Sequence, residues 1–165
     1  MLKEIFDRRS VRQFTQEAVT REQLTELLRA AMNAPTAVNK QEWRFTVLTT
    51  REQIDQICQY QPYTKMMLQA QAAIIVSADL DAAQAEGFAY LDCGAAIENL
   101  LLEAVHQGLG TCWCGLAPME EPAKSIQNAY NIPERHLPMG VIAIGHPASV
   151  TPRVDQYDEG KVTWL

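Results

Sequence analysis

The chain has 165 residues, 47% of them hydrophobic, enough for a single domain spanning 1–165 around one sizeable core. Twenty acidic against fourteen basic residues give a net charge of -6, which repels polyphosphate and argues against a nucleic-acid partner. No apolar run reaches the roughly 18–20 residues of a membrane span, and the start, Met1-Leu2-Lys3-Glu4, has no apolar signal region, so a cytoplasmic protein without a membrane partner is expected.

Leu2, Ile5 and Phe6 recur at helical spacing. Thr20 and Gln23 form a capping box ahead of a second helix carrying Leu24, Leu27, Leu28 and Ala31, which ends at Ala34-Pro35. Arg44 to Thr49, rich in β-branched and aromatic residues, predicts a strand, and Thr50 with Gln53 caps another helix. The continuous apolar run Ala72 to Ala78 predicts a strand buried on both faces. A long helix is expected from Phe88 to Gln107, apolar on nearly all sides between Ala95 and Val105, as in a core or a subunit interface, with Gly108 as its stop signal. Thr111 to Cys114 and Met139 to Ile144 complete the strands, Glu121 to Tyr130 forms a helix between them, and Val150 to Leu165 is an irregular arm. Alternating strands and helices after a helical start predict an α+β or α/β sandwich around a small sheet, with strand order left open.

Of the four cysteines only Cys112 and Cys114 are close, as C-x-C without a second half-site, which is poor zinc spacing; no metal site is expected. Asp92, Glu98 and Asn99 interrupt the apolar helix and should each find a hydrogen-bonding partner, and His106 falls on the same helix as a structural or interface residue. Gly108-Leu109-Gly110 follows a helix and lacks a third glycine, so it is not a dinucleotide fingerprint.

Arg8-Arg9-Ser10-Val11-Arg12 gathers three guanidinium groups and a hydroxyl, donors that match phosphate oxygens. Alone, this cluster is equally readable as an anion site and as a solvated helix end. The loop Ala34 to Phe45 offers Thr36, Asn39 and Gln41, whose amide and hydroxyl groups can read the edge of a planar heterocycle, while Trp43 is expected to pack at the start of the strand.

Together these segments resemble the nitroreductase family of FMN-dependent oxidoreductases, over nearly the whole chain. The family's R-R-S-x-R-x-[FY] signature stands at Arg8 to Phe14, and its A-P-S-x-x-N-x-Q-P-W-x-F loop at Ala34 to Phe45, with Thr36 for Ser and Glu42 for Pro. A G-L-G at Gly108 to Gly110, a W-x-G at Trp113 to Gly115, Gly145-His146-Pro147 and Arg153 complete the set. The resemblance implies a three-layer α/β/α sandwich with a mainly antiparallel central sheet, dimeric, with FMN sites at the homodimer interface. Arg8, Arg9, Ser10 and Arg153 would hold the phosphate and ribityl end, with Arg12 behind them. Pro35, Thr36, Ala37 and Asn39 would reach across from the other subunit, Cys112, Trp113, Cys114 and Gly115 would line the ring near N5, and Lys65 would sit near the pyrimidine end. The implied reaction passes a hydride from NADH or NADPH to the flavin and on to a nitroaromatic, quinone or similar acceptor in ping-pong fashion, with no catalytic side chain required. A flavin carrier with little turnover, or a specialised dehalogenase or dehydrogenase, are the alternatives. Glu42 removes a stiffening ring from the loop and adds a carboxyl, and the capping insertion of longer members is missing, which implies a more open pocket.

Overall fold

A computed structural model describes residues 2–150 and 152–165; Met1 and Thr151, the latter in the expected C-terminal arm, lie outside the described residues. In chain order the elements are α1 (Lys3–Asp7), α2 (Arg21–Met32), β1 (Trp43–Leu48), α3 (Arg51–Gln56), β2 (Ala72–Asp79), α4 (Glu86–His106), β3 (Gly110–Gly115), α5 (Glu120–Ala129) and β4 (His136–Gly145). Both expected capping boxes are formed, so Thr20 and Thr50 each satisfy an otherwise orphaned N–H of the first turn. Gly108, at φ 74°, stops α4 in a conformation open to glycine.

The four strands pair in the order β1-β2-β4-β3, every pair antiparallel. A continuous apolar strand is the usual mark of a parallel sheet, yet β2 is antiparallel to both neighbours; what its composition reports is burial of both faces. Ile74, Val76, Ile142 and Ile144 pack under α2 and α4 on one side. Ala73, Ile75, Val141 and Ala143 pack on the other with Ile54 of α3, Ile126 of α5 and Met67 of a short 3-10 turn. The result is the three-layer α+β sandwich. No helix among the described residues is long and apolar enough to cross a membrane.

Two features of the sheet position the cavity described below. β3 is an edge strand, and among the described residues its one bridge outside the sheet is a parallel one between Ser10 and Thr111, where Val11 N–H donates to Thr111 O at 2.8 Å. The Arg8–Arg12 segment therefore runs extended beside β3. Next to it the Trp113 indole crosses Gly140 so closely that a Cβ there would overlap its Nε1. Gly140→Ala is expected to displace Trp113 and destabilise the protein by roughly 1–3 kcal/mol, the usual cost of overpacking; urea melts and tryptophan fluorescence check it, and a variant identical to wild type in both would show that the indole has slack.

α4 departs from the sequence expectation at its ends. Leu91 is 67% exposed and Phe88 is also exposed, while His106 ends the helix in solvent with Nδ1 3.3 Å from Glu4 Oε1. Between these ends, from Asp92 to Val105, every residue is buried or half-buried, with α2, the sheet and α1 packed against the helix. Its polar residues find partners as expected: Asp92 Oδ2 accepts from Ala37 N–H at 2.8 Å, Glu98 pairs with Arg8 at 3.2 Å, and Asn99 donates to Ala30 O at 3.2 Å.

Candidate cofactor-binding site

A cavity of about 920 Å³ opens along the outer edge of β3. Cys112, Trp113, Cys114 and Gly115 form one wall, and Gln61, Pro62, Tyr63, Lys65 and Met66 with Met119 form another. Arg12 and Lys65 supply its charges, and among the described residues no carboxylate lines it, although the chain as a whole carries -6. A smaller recess of about 310 Å³ shares Trp113 and Gly115 and adds Arg8, Ser10 and Thr111, but also Glu98, the ion-pair partner of Arg8.

Strand-like alternation sorts the arginine cluster. Arg8, Ser10 and Arg12 point to the side of these two cavities, while Arg9 and Val11 point away. Arg9 fastens the C-terminal arm, with Nε 3.2 Å from Pro152 O and Nη2 3.2 Å from Val154 O. Arg153 lies with Arg9 in a third depression, its guanidinium 4.6 Å above the Phe6 ring and 3.9 Å from Asp7. The structure thus separates Arg9 and Arg153 from Arg8, Ser10 and Arg12, and it puts Arg12 in the wall of the main cavity, not behind it.

Pro35, Thr36, Ala37 and Asn39 line none of these cavities. Their loop is held to α4 by the Ala37–Asp92 hydrogen bond and closed on itself by Thr36 Oγ1, which accepts from Gln41 N–H at 3.0 Å. Val38, Asn39 and Gln41 all have positive φ, which is costly at a β-branched residue, and the Val38 side chain is 74% exposed. Strain of this kind persists only where surrounding contacts enforce it.

Glu42, which follows the loop, is fully buried, and neither of its carboxylate oxygens has a hydrogen-bond partner. Burial raises its pKa above the usual carboxylate value; the neighbouring Asp92 raises it further, against the opposing pull of its own backbone N–H and of Arg44. The carboxyl added to the loop is therefore biased toward its neutral form. On the cavity wall, hydrogen bonding with Cys114 lowers the pKa of Cys112 to about 7, against the effect of burial and with help from Arg12.

Sequence reading missed Gln13, Gln61, Tyr63, Met66, Gln69 and Met119 as cavity residues. Gln61 clamps its loop to the end of β3, with Nε2 donating to Gly115 O at 3.2 Å. No local pattern marks these residues; a 3-10 turn at Lys65–Leu68 folds that loop over a strand some fifty residues away.

The fold is a three-layer α+β sandwich whose edge strand carries a cavity lined by two cations, an arrangement suited in charge to a small anionic ligand. The profile of the nitroreductase family matches residues 5–64 and 58–146. A provisionally named NADH dehydrogenase/NAD(P)H nitroreductase of Methanothermobacter thermautotrophicus is 36% identical over 98% of this chain and 85% of its own length. The crystal structure of a provisionally named NADH oxidase from Clostridium acetobutylicum superposes with a TM-score of 0.94 at 36% identity, covering 98% of each chain. That of a provisionally named nitroreductase from Desulfovibrio desulfuricans, in complex with FMN, gives 0.88 at 29% identity over 99% of this chain and 95% of that one. The chain belongs to the nitroreductase family, and its fold is that of the family.

Proposed function

We propose that this protein is an FMN-dependent NAD(P)H oxidoreductase that works as a homodimer. The observation that carries the reading is the main cavity, where two cations and no carboxylate stand beside an edge strand in an otherwise acidic chain. Those residues fit FMN: Arg12 and Lys65, with Arg8 and Ser10 from the adjoining recess, would hold its anionic and polar groups. Trp113, Cys114 and Gly115 would lie along the ring, where past Thr111 β3 has no strand on its outer side and can present backbone N–H groups. Arg9 and Arg153 then act one step removed, holding the arm.

Bound there, FMN would supply the hydride chemistry. The chain's share is to bind, to orient, and to leave room above the ring for a nicotinamide and then for the acceptor in alternation, which is ping-pong kinetics. Tyr63, 79% exposed at the cavity, offers a face on which planar acceptors such as nitroaromatics and quinones can stack. The exposed Phe88 and Leu91 at the start of α4, the strained Ala37–Gln41 loop and the exposed arm support a dimer, in which Pro35, Thr36, Ala37 and Asn39 would reach the partner's cavity.

The absorption spectrum of the purified protein should show oxidised flavin, and anaerobic mixing with NADH or NADPH should bleach it within seconds. Bleaching slower than minutes with both donors would defeat the reductase reading.

A further inference from the structure

We propose that Cys112, Cys114 and the Met66 thioether form a binding site for a soft monovalent cation of the Cu(I) type, set into the wall of the main cavity. Residues two apart on a strand share a face, so both thiols of β3 point to the same side, buried yet on the cavity lining. Both are free. Met66 stands beside them, its Sδ 3.8 Å from Cys114 Sγ, and the Tyr63 carbonyl oxygen lies 3.9 Å from the same sulfur.

Spacing favours a bridging atom over a direct bond. At about 3.3 Å per residue the two Cα atoms of a strand C-x-C stand roughly 6.6 Å apart, at the far end of the range a disulfide tolerates. Closing an S–S bond would bend β3 away from β4; an atom held between the sulfurs would not. Donor chemistry then selects the ion. Two thiolates and a thioether are soft ligands suited to Cu(I). Zinc prefers four nitrogen, oxygen or thiolate ligands, and among the described residues no group of three His, Cys, Asp or Glu could hold a metal. On binding, the ion takes the place of the thiol protons, which leave to solvent, and no electron is transferred. Cys93 lies in the opposite core and Cys58 donates to Thr64 O at 3.3 Å, so neither belongs to the set.

The site shares a wall with the proposed cofactor cavity but does not rest on that reading, because its test reads copper and not turnover. Purified protein loaded anaerobically with Cu(I) is challenged with the chromogenic chelator bicinchoninate. Wild type and Cys93→Ser should each retain one copper per chain, and Cys112→Ser and Cys114→Ser should each lose it. Surrender of the copper by wild type, or its retention by either β3 variant, overturns the site. Should a β3 variant fail to fold by circular dichroism, X-ray absorption of copper-loaded wild type decides: a first shell of sulfur supports the site, and one of nitrogen or oxygen removes it.

Discussion

Arg12→Ala is expected to weaken FMN binding by roughly 10- to 100-fold, the loss of one charge-assisted contact worth about 1.5–3 kcal/mol, whereas Arg9→Ala should leave it within about twofold. The two residues sit three positions apart in one basic cluster, and nothing in their local sequence distinguishes them. They differ because the segment runs extended beside β3, so Arg12 faces a cavity without carboxylates and Arg9 grips the carbonyls of Pro152 and Val154. Flavin fluorescence titration of the apoproteins measures both. Arg9→Ala should show its effect elsewhere, as faster proteolysis of the arm. Equal loss of FMN affinity in the two variants would return Arg9 to the phosphate cluster and sink the division of roles.

Glu42→Gln is expected to stabilise the protein at pH 8 by on the order of 1 kcal/mol, because the variant cannot take on the buried negative charge that costs the wild type stability. The folded-state pKa of Glu42 is raised, first by burial and then by Asp92. A raised pKa means that the folded state holds the proton more tightly than the unfolded chain does. The stability this contributes is complete below the unfolded carboxyl value near about 4.3 and fades as pH rises through the folded value. Glutamine keeps the shape of the neutral acid and cannot ionise, so the gap between variant and wild type should open with increasing pH and close in acid. Urea melts from pH 4 to 8 measure it, and a wild type that gains on the variant as pH rises would refute the assignment. The same buried pair bears on the site. Asp92, the neighbour of Glu42, holds Ala37 N–H at 2.8 Å and with it the strained turn through Val38. Ionising Glu42 places a negative charge against Asp92, the residue that fastens this loop.

Much of the architecture was legible residue by residue. The capping boxes at Thr20 and Thr50, the doubly buried run at Ala72 to Ala78 and the stop at Gly108 all depend on interactions within a few residues, and all stand where expected. Part of the candidate site was legible too, as a family pattern of arginines, loop and W-x-G turn. What that pattern omitted is direction. Arg9 and Arg153 were grouped with Arg8, Ser10 and Arg12 because sequence lists neighbours without saying which side each faces, and alternation in an extended segment splits such a group in two. Gln61, Tyr63 and Met66 went unnoticed because their place in the cavity comes from a 3-10 turn packing against β3.

Sequence by itself determined the class of fold, the positions of its helices and strands, and the presence of a phosphate-matching cluster, because each follows from periodicity, capping and side-chain chemistry over short spans. Tertiary structure alone decided that the strands stand in the order β1-β2-β4-β3, that Arg12 and not Arg9 faces the cavity, and that Glu42 is buried without a partner. The reason is physical: strand order, facing and the desolvation of a charge are set by which distant segments pack together, and a local pattern contains no term for that contact.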